Sequence, residues 1–347
     1  HTFETNDELW GAGFSEWRNV VKARPRFPGH YQPRLPGDLG YYDLRSPNTL
    51  RAQGLLAEQH GIHGMACYYY RFGEQRLMNE PTDLLLSDGS IPLRFFYCWA
   101  NEDWTKAWDG RSDEVNLKQD YSERTISMIL DDLVRASADT RYIRVDGKPV
   151  FMLYQLNKLP NLRETLRTFR EGLKSRLGVD ICLGTTYNAD FCPEWEELVD
   201  FIAQFPPHRT PRKEPRALLQ GDSSPKVEDP LRGDFLESYE NVRRQSLQAV
   251  DFLSRLQPGV CPDWDNSARR AQQAHILVGA SPKAFGDWAH KAALATEAKM
   301  HTGKIKTPFL FINAWNEWAE GAVMEPYEND GRANLSAFSC NIPWHKL

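Results

Sequence analysis

The chain has 347 residues, 41% of them hydrophobic and 26% charged, with a net charge of −5 at pH 7. Such a chain buries roughly three quarters of its unfolded surface without a covalent staple, as one large α/β barrel or as two average domains. The acidic balance speaks against a nucleic-acid partner, which selects a basic face, and no apolar run approaches the ~20 residues of a membrane helix.

The chain opens on His1 rather than on an initiator methionine, as a fragment or processed form does. No targeting segment is visible, so the compartment stays open, with the cytoplasm as the default. A long loop-like segment leads to "NTLRAQGLLAEQH" (48–60), an amphipathic helix pattern. Strand-like runs follow at 62–71, 92–101, 148–155, 179–188 and 200–205, with a weak one at 258–266 and a last one at 308–315. They are short, continuously apolar and bounded by polar, Gly or Pro residues, as strands covered on both faces are. Helix patterns at 122–138, 161–177 and 281–300 alternate with them, several opening on a Ser or Asn cap. This alternation predicts a parallel α/β sheet, best fitted by a single (β/α)8 TIM-type barrel over residues 1–347. No first strand precedes 48–60, which places residue 1 at or past the end of strand one. The Pro- and charge-rich stretch 206–235 reads as a surface insertion.

Neither GxGxxG after an early strand nor GxxxxGK[ST] occurs, so a nucleotide-binding sheet is disfavoured and no cofactor is expected. The six cysteines are scattered without metal-ligand spacing, and the nine histidines are isolated from one another. No metal site is therefore expected, and the cysteines read as thiols, several of them inside strand runs.

Barrel chemistry sits at the C-terminal ends of the strands. Those ends read "YYYR", "CWANEDW", "TTYN", "CPDWDN" and "NAWNEWAE". Eight of the eleven tryptophans fall in them or in the N-terminal loop: Trp10, Trp17, Trp99, Trp104, Trp108, Trp264, Trp315 and Trp318. Carboxylates stand beside them, including Glu16, Glu102, Asp103, Asp109, Asp263, Asp265, Glu317 and Glu320. Aromatic faces stack on the C–H faces of sugar rings, and carboxylates and amides bind the hydroxyl rims. Paired carboxylates are also the equipment of glycoside hydrolysis. Glu317 and Glu320 are the catalytic candidates. Trp99, Asn101, Glu102, Trp104, Trp108, Tyr187, Asp263, Asp265, Trp315, Asn316 and Trp318 are the sugar-binding candidates. Asp263 and Asp265 could instead form a metal pair, although two oxygens are too few for calcium without other ligands.

"FINAWNEWAEGAVMEP" (311–326) resembles the signature of the WbsX-type family, polysaccharide-biosynthesis glycosyltransferases. The segments 6–45, 98–110 and 141–155 resemble the same family, so the likeness covers nearly the whole chain. The last strand and "CPDWDNSARR" (261–270) are also similar to glycoside hydrolase family 99, the endo-acting α-mannosidases and α-mannanases. Both resemblances imply a (β/α)8 barrel and a glycan or polysaccharide partner. Likeness to family 99 implies that Glu317 assists the substrate's 2-hydroxyl and that Glu320 is the general acid/base. That division needs Glu320 to hold a proton near neutral pH beside an ionised neighbour. A conventional alternative makes Glu102 the acid and Glu317 a direct nucleophile about 5–5.5 Å away.

Three functions fit these residues: a retaining glycoside hydrolase, a glycosyltransferase, or a non-catalytic carbohydrate-binding barrel. No DxD-like motif stands beside a nucleotide-binding sheet, Asp263 and Asp265 being the nearest match, which weighs against the transferase.

Overall fold

The computed structural model describes residues 3–106, 111–208, 233–305 and 308–342. Its strands in chain order are β1 (Met65–Phe72), β2 (Phe95–Trp99), β3 (Lys148–Leu153), β4 (Cys182–Tyr187), β5 (Phe201–Gln204), β6 (Phe235–Ser238), β7 (Leu256–Gln257), β8 (Gly259–Val260), β9 (His275–Val278) and β10 (Phe311–Ile312). Small antiparallel ribbons decorate their ends. Strands β1, β2, β3, β4, β5 and β7 pair side by side in that order, all parallel. Beyond Pro258, β8 continues the series by pairing parallel with β10, while β6 pairs with β9. Strands β2 to β5 are the continuously apolar runs of the sequence, and "FFYCW" and "CLGTTY" are buried along their whole lengths. The expectation of a parallel α/β sheet is met. Among the described residues, no ladder joins β10 back to β1.

The helices are α1 (Glu4–Trp10), α2 (Trp17–Lys22), α3 (Pro47–Gln59), α4 (Glu80–Ser87), α5 (Glu123–Ser137), α6 (Leu162–Leu177), α7 (Tyr239–Ala249), α8 (Pro282–His301) and α9 (Ala333–Asn341). The expected caps explain two starts: the Ser122 side chain accepts from the Thr125 N–H, and Ser281 accepts from Ala284. Gly178, at φ 73°, ends α6 in the left-handed conformation that glycine adopts without strain.

Sequence and structure differ in three places. The weak strand at 258–266 shrinks to β8, because Pro258 has no N–H to donate and splits it from β7. The run at 308–315 pairs only through Phe311 and Ile312 before turning into the loop that carries the glutamates. Strands β6, β7 and β9 and helices α1, α2, α4, α7 and α9 had no expected counterparts, α1 and α2 standing where a loop-like segment was expected. Most of the insertion expected at 206–235 lies outside the described residues, and its last residue, Phe235, starts β6.

Gly259 lets β8 approach β5. A Cβ there would stand 2.0 Å from the Gln204 carbonyl oxygen, a backbone atom that cannot rotate away. Gly259→Ala should therefore cost about 1–3 kcal/mol, read as a lower urea midpoint. An unchanged midpoint would mean that the two strands separate freely.

Candidate active site

The loop after β10 forms a tight hairpin. Asn316 and Glu317 pair antiparallel with Val323 and Ala322, and a 3₁₀ turn, Trp318–Glu320, fills the space between. Gly321 closes the turn at φ 69°, where a Cβ would meet the Asp265 backbone nitrogen at 3.0 Å. That close approach lets the Asp265 N–H donate to the Glu320 carbonyl at 2.7 Å. The two candidate glutamates thus share one short, doubly fastened turn.

A buried carboxylate explains why tryptophans flank them. Glu325, 1% exposed, accepts from Trp315 Nε1 at 2.8 Å, Trp318 Nε1 at 2.9 Å, the Tyr42 hydroxyl at 2.6 Å and Gln53 Nε2 at 2.6 Å. Asn316 Nδ2 donates to the same Tyr42 hydroxyl at 3.2 Å. Burial pushes the Glu325 carboxyl up to about 7, against the pull of its four donors. Trp318 is 4% exposed, packs on Val20 and Tyr327 and so holds the turn, while lining the cavity described below. Glu325→Ala would take the acceptor from four donors, of which Trp318 Nε1 keeps a longer bond to the Tyr42 hydroxyl at 3.3 Å; each buried donor left unpaired costs about 1–3 kcal/mol. We expect a loss of at least 3 kcal/mol in chemical denaturation, and a loss under 1 kcal/mol would show that water satisfies the donors.

Arg269 gathers the acids. Its Nη1 donates to Glu320 Oε1 at 2.6 Å and its Nη2 to Glu317 Oε2 at 3.2 Å. Its Nε donates to Glu16 Oε1 at 3.0 Å, and Nη2 makes a further short contact to that oxygen. One fixed cation faces three carboxylates. Burial pushes the Glu320 carboxyl up to about 7; Arg269 opposes this, and the neighbouring Glu317 and Glu16 add to it. Burial also raises Glu16, again against Arg269. About a fifth of the Glu320 side chain and 30% of the Glu317 side chain stay accessible. Both line a cavity of about 1010 Å³ at the C-terminal ends of the strands.

The same cavity is lined by Tyr68, which is 36% exposed, and by Tyr70 and Tyr154, whose hydroxyls burial raises well above their ordinary value, with the Glu317 charge adding to the effect. Glu102 lines it too; it accepts from Gln155 Nε2 at 2.5 Å, and burial raises its carboxyl. Trp315, Asn316 and Trp104 complete the polar-aromatic rim, Trp104 lying stacked on Phe3, Tyr70 and Phe72. Lower down, the cavity continues between β1 and β10, past Met65, Cys67, Phe309 and Phe311.

Other expected sugar contacts lie elsewhere. Along β2 the side chains alternate: Phe96 and Cys98 face the cavity, so Trp99 points the other way. Trp99 is 0% exposed and packs on Tyr121 and on Phe169 of α6. Asn101 is buried as a loop clamp, donating to the Gln155 carbonyl at 2.7 Å and accepting from the Gln155 N–H at 2.8 Å. Tyr187 is buried against Phe191 and does not line the cavity. Asp263 and Asp265 do not line it either. Arg34 holds Asp263 at 2.6 Å, while His30, Gln32 and the Ser267 N–H hold Asp265 at 2.7, 2.6 and 3.0 Å. With their oxygens so engaged, both acids fasten the loop to the N-terminal segment. Trp108 lies outside the described residues.

The N-terminal segment is thus a strap over the 263–270 loop. Arg26 adds donors to the Ser267 and Arg270 carbonyls, and Glu16 holds Arg269. Sequence reasoning missed Tyr42, Gln53 and Glu325 and assigned Arg269 no role. The "GFSEW" and "SARR" stretches held two of the site's charges, but nothing in them marks a contact across 253 positions.

Among the described residues, no group of three metal-ligating side chains converges and no helix is long and apolar enough to cross a membrane. The fold is similar to that of the family 99 endo-α-mannosidase from Bacteroides thetaiotaomicron: TM-score 0.55 at 14% identity, over 94% of this chain and 91% of that one. It is also similar to a glycoside hydrolase-like protein: TM-score 0.60 at 12% identity, over 89% of each chain. In sequence it is 35% identical to protein WxcX of Xanthomonas campestris pv. campestris over 339 residues, which is 97% of this chain. The chain spans 47% of the length of that relative. The family model for glycosyltransferase WbsX matches residues 1–338, and the chain belongs to the WbsX family.

Proposed function

We propose that the chain is a carbohydrate-active enzyme, and specifically a retaining glycoside hydrolase that uses the 2-hydroxyl of its substrate. One observation carries this: a cavity-facing Glu320 whose carboxyl is raised to about 7 shares Arg269 with a second accessible glutamate. That is the equipment of a general acid beside a base. Glu317 takes the proton of O2, O2 attacks the anomeric carbon, and the departing glycosidic oxygen takes the Glu320 proton. Water then gives its proton to Glu320 and attacks the same carbon; the C1–O2 bond opens and O2 recovers its proton from Glu317. Two inversions leave the configuration retained. Tyr68, Tyr70, Tyr154 and Trp104 supply hydroxyl and ring contacts to the glycan. The sheet we read as a (β/α)8-type barrel, one domain over the chain, open where β10 and β1 do not pair.

The family description favours a second reading, transfer of a glycosyl group, with a surface polysaccharide as the product we would expect. Screening polysaccharides, α-mannans included, for new reducing ends, beside hydrolysis of sugar-nucleotide donors, separates the two. Reducing ends without donor turnover support hydrolysis; donor turnover alone supports transfer.

A further inference from the structure

We propose that Glu16 is a positioning residue for Glu320, fixing how the Arg269 guanidinium is divided among the acids so that Glu320 keeps its proton; the catalytic meaning of this rests on the hydrolase reading above. A guanidinium offers two forks, each able to bind a carboxylate through two donors. Glu16 occupies the Nε–Nη2 fork through one oxygen. Glu320 then meets Nη1 alone, through one oxygen at 2.6 Å, and Glu317 has a longer contact to Nη2 at 3.2 Å. Without Glu16 the fork would be free to turn to the hairpin, and a bidentate Arg269 would drive Glu320 to ionise.

Glu16 is well fixed for this task. It immediately precedes α2, whose Val20 packs with Trp318, Ala319 and Tyr327, so α2 sits on the turn that carries Glu320. The other groups facing Glu320 do not substitute for it. Arg270 acts on it weakly from the same loop, and Tyr154 and Cys261 are neutral neighbours whose own protons burial retains. Asp265, whose N–H meets the Glu320 carbonyl, is engaged by His30 and Gln32, and Asp263 by Arg34. Glu16 and Glu317 both share Arg269 with Glu320.

Glu16→Gln keeps shape and acceptor and removes the charge. We expect the Glu320 carboxyl to lose its proton about one pH unit lower, read by NMR of ¹³C-labelled glutamate carboxyls with Glu320→Gln identifying the signal. The alkaline limb of kcat/KM should move down equally, a loss of about tenfold above pH 7. If Glu16 were only structural, the rate would fall by the same factor at every pH and the NMR midpoint would stay put, which overturns the proposal. A wild-type titration in which the Glu16 and Glu320 signals move independently of each other would overturn it without any variant. A shifted midpoint in a protein that cleaves no glycan supports the charge division and sinks the hydrolase reading instead.

Discussion

Glu320→Gln should reduce turnover of unactivated glycans by about 10²- to 10⁴-fold, the usual contribution of a general acid/base, while substrate binding changes little. Substrates with very good leaving groups should be partly spared, because their departing oxygen needs no proton. Glu317→Gln should be inactive on both kinds, since every substrate needs the attack by O2. The wild-type rate on unactivated glycans should fall above pH 7 or so, as Glu320, raised by burial, gives up its proton. The competing scheme, with Glu102 as acid and Glu317 as direct nucleophile, predicts a nearly silent Glu320→Gln and cleavage of a substrate lacking its 2-hydroxyl. Both acids of that scheme line the same cavity, so kinetics decide. A fully active Glu320→Gln enzyme defeats our assignment.

Arg269→Met should destabilise the fold strongly. Three carboxylates would then face one another in a largely buried cluster without their cation, and breaking a buried pair costs about 3–5 kcal/mol. The pH dependence has a definite sign. Burial already raises Glu16 and Glu320 above their unfolded values against the pull of Arg269; without that cation they rise further, so the folded state binds more protons. Stability then falls as pH rises from the unfolded carboxylate range toward neutrality. Urea unfolding at pH 5 and at pH 8 should therefore show a larger loss at pH 8. An equal loss at both would mean that Arg269 contributes packing alone. Arg269→Lys should recover part of the stability but little activity, because an ammonium cannot serve separated carboxylates through a planar fork.

Much of the framework was visible in residue order because it is local. Continuous apolar runs mark β2 to β5, and Ser caps mark α5 and α8, since both signals act over a few residues. The hairpin with Glu317 and Glu320 was visible for the same reason: an apolar run, a polar turn and a glycine stand together. The error over Trp99 was one of phase. A strand end is at the right height for a site, but only alternate side chains face it, and β2 is apolar on both faces, so its sequence carries no phase. Residue order marks Trp315 and Trp318 as site residues but not the second task of their indole N–H groups, which is to hold Glu325. The pairing of Asp263 with Arg34 and of Asp265 with His30 joins residues more than 200 positions apart. No periodicity reports such contacts, which is why two structural acids looked like ligands.

The strap has a consequence in time rather than in space. Its bonds join residues 16–34 to residues 263–270 and 321, at separations of 229 to 287 positions. Contacts of such high order close late, because their loop entropy is offset only once the intervening elements are in place. On a ribosome, the partners of Glu16, His30 and Arg34 do not exist until most of the chain has been made. The parallel strands from β1 to β5 have their neighbours long before that. The carboxylate cluster is therefore expected to close after β1 to β5 have paired, and a nascent chain stopped short of Glu320 carries those strands without the acid.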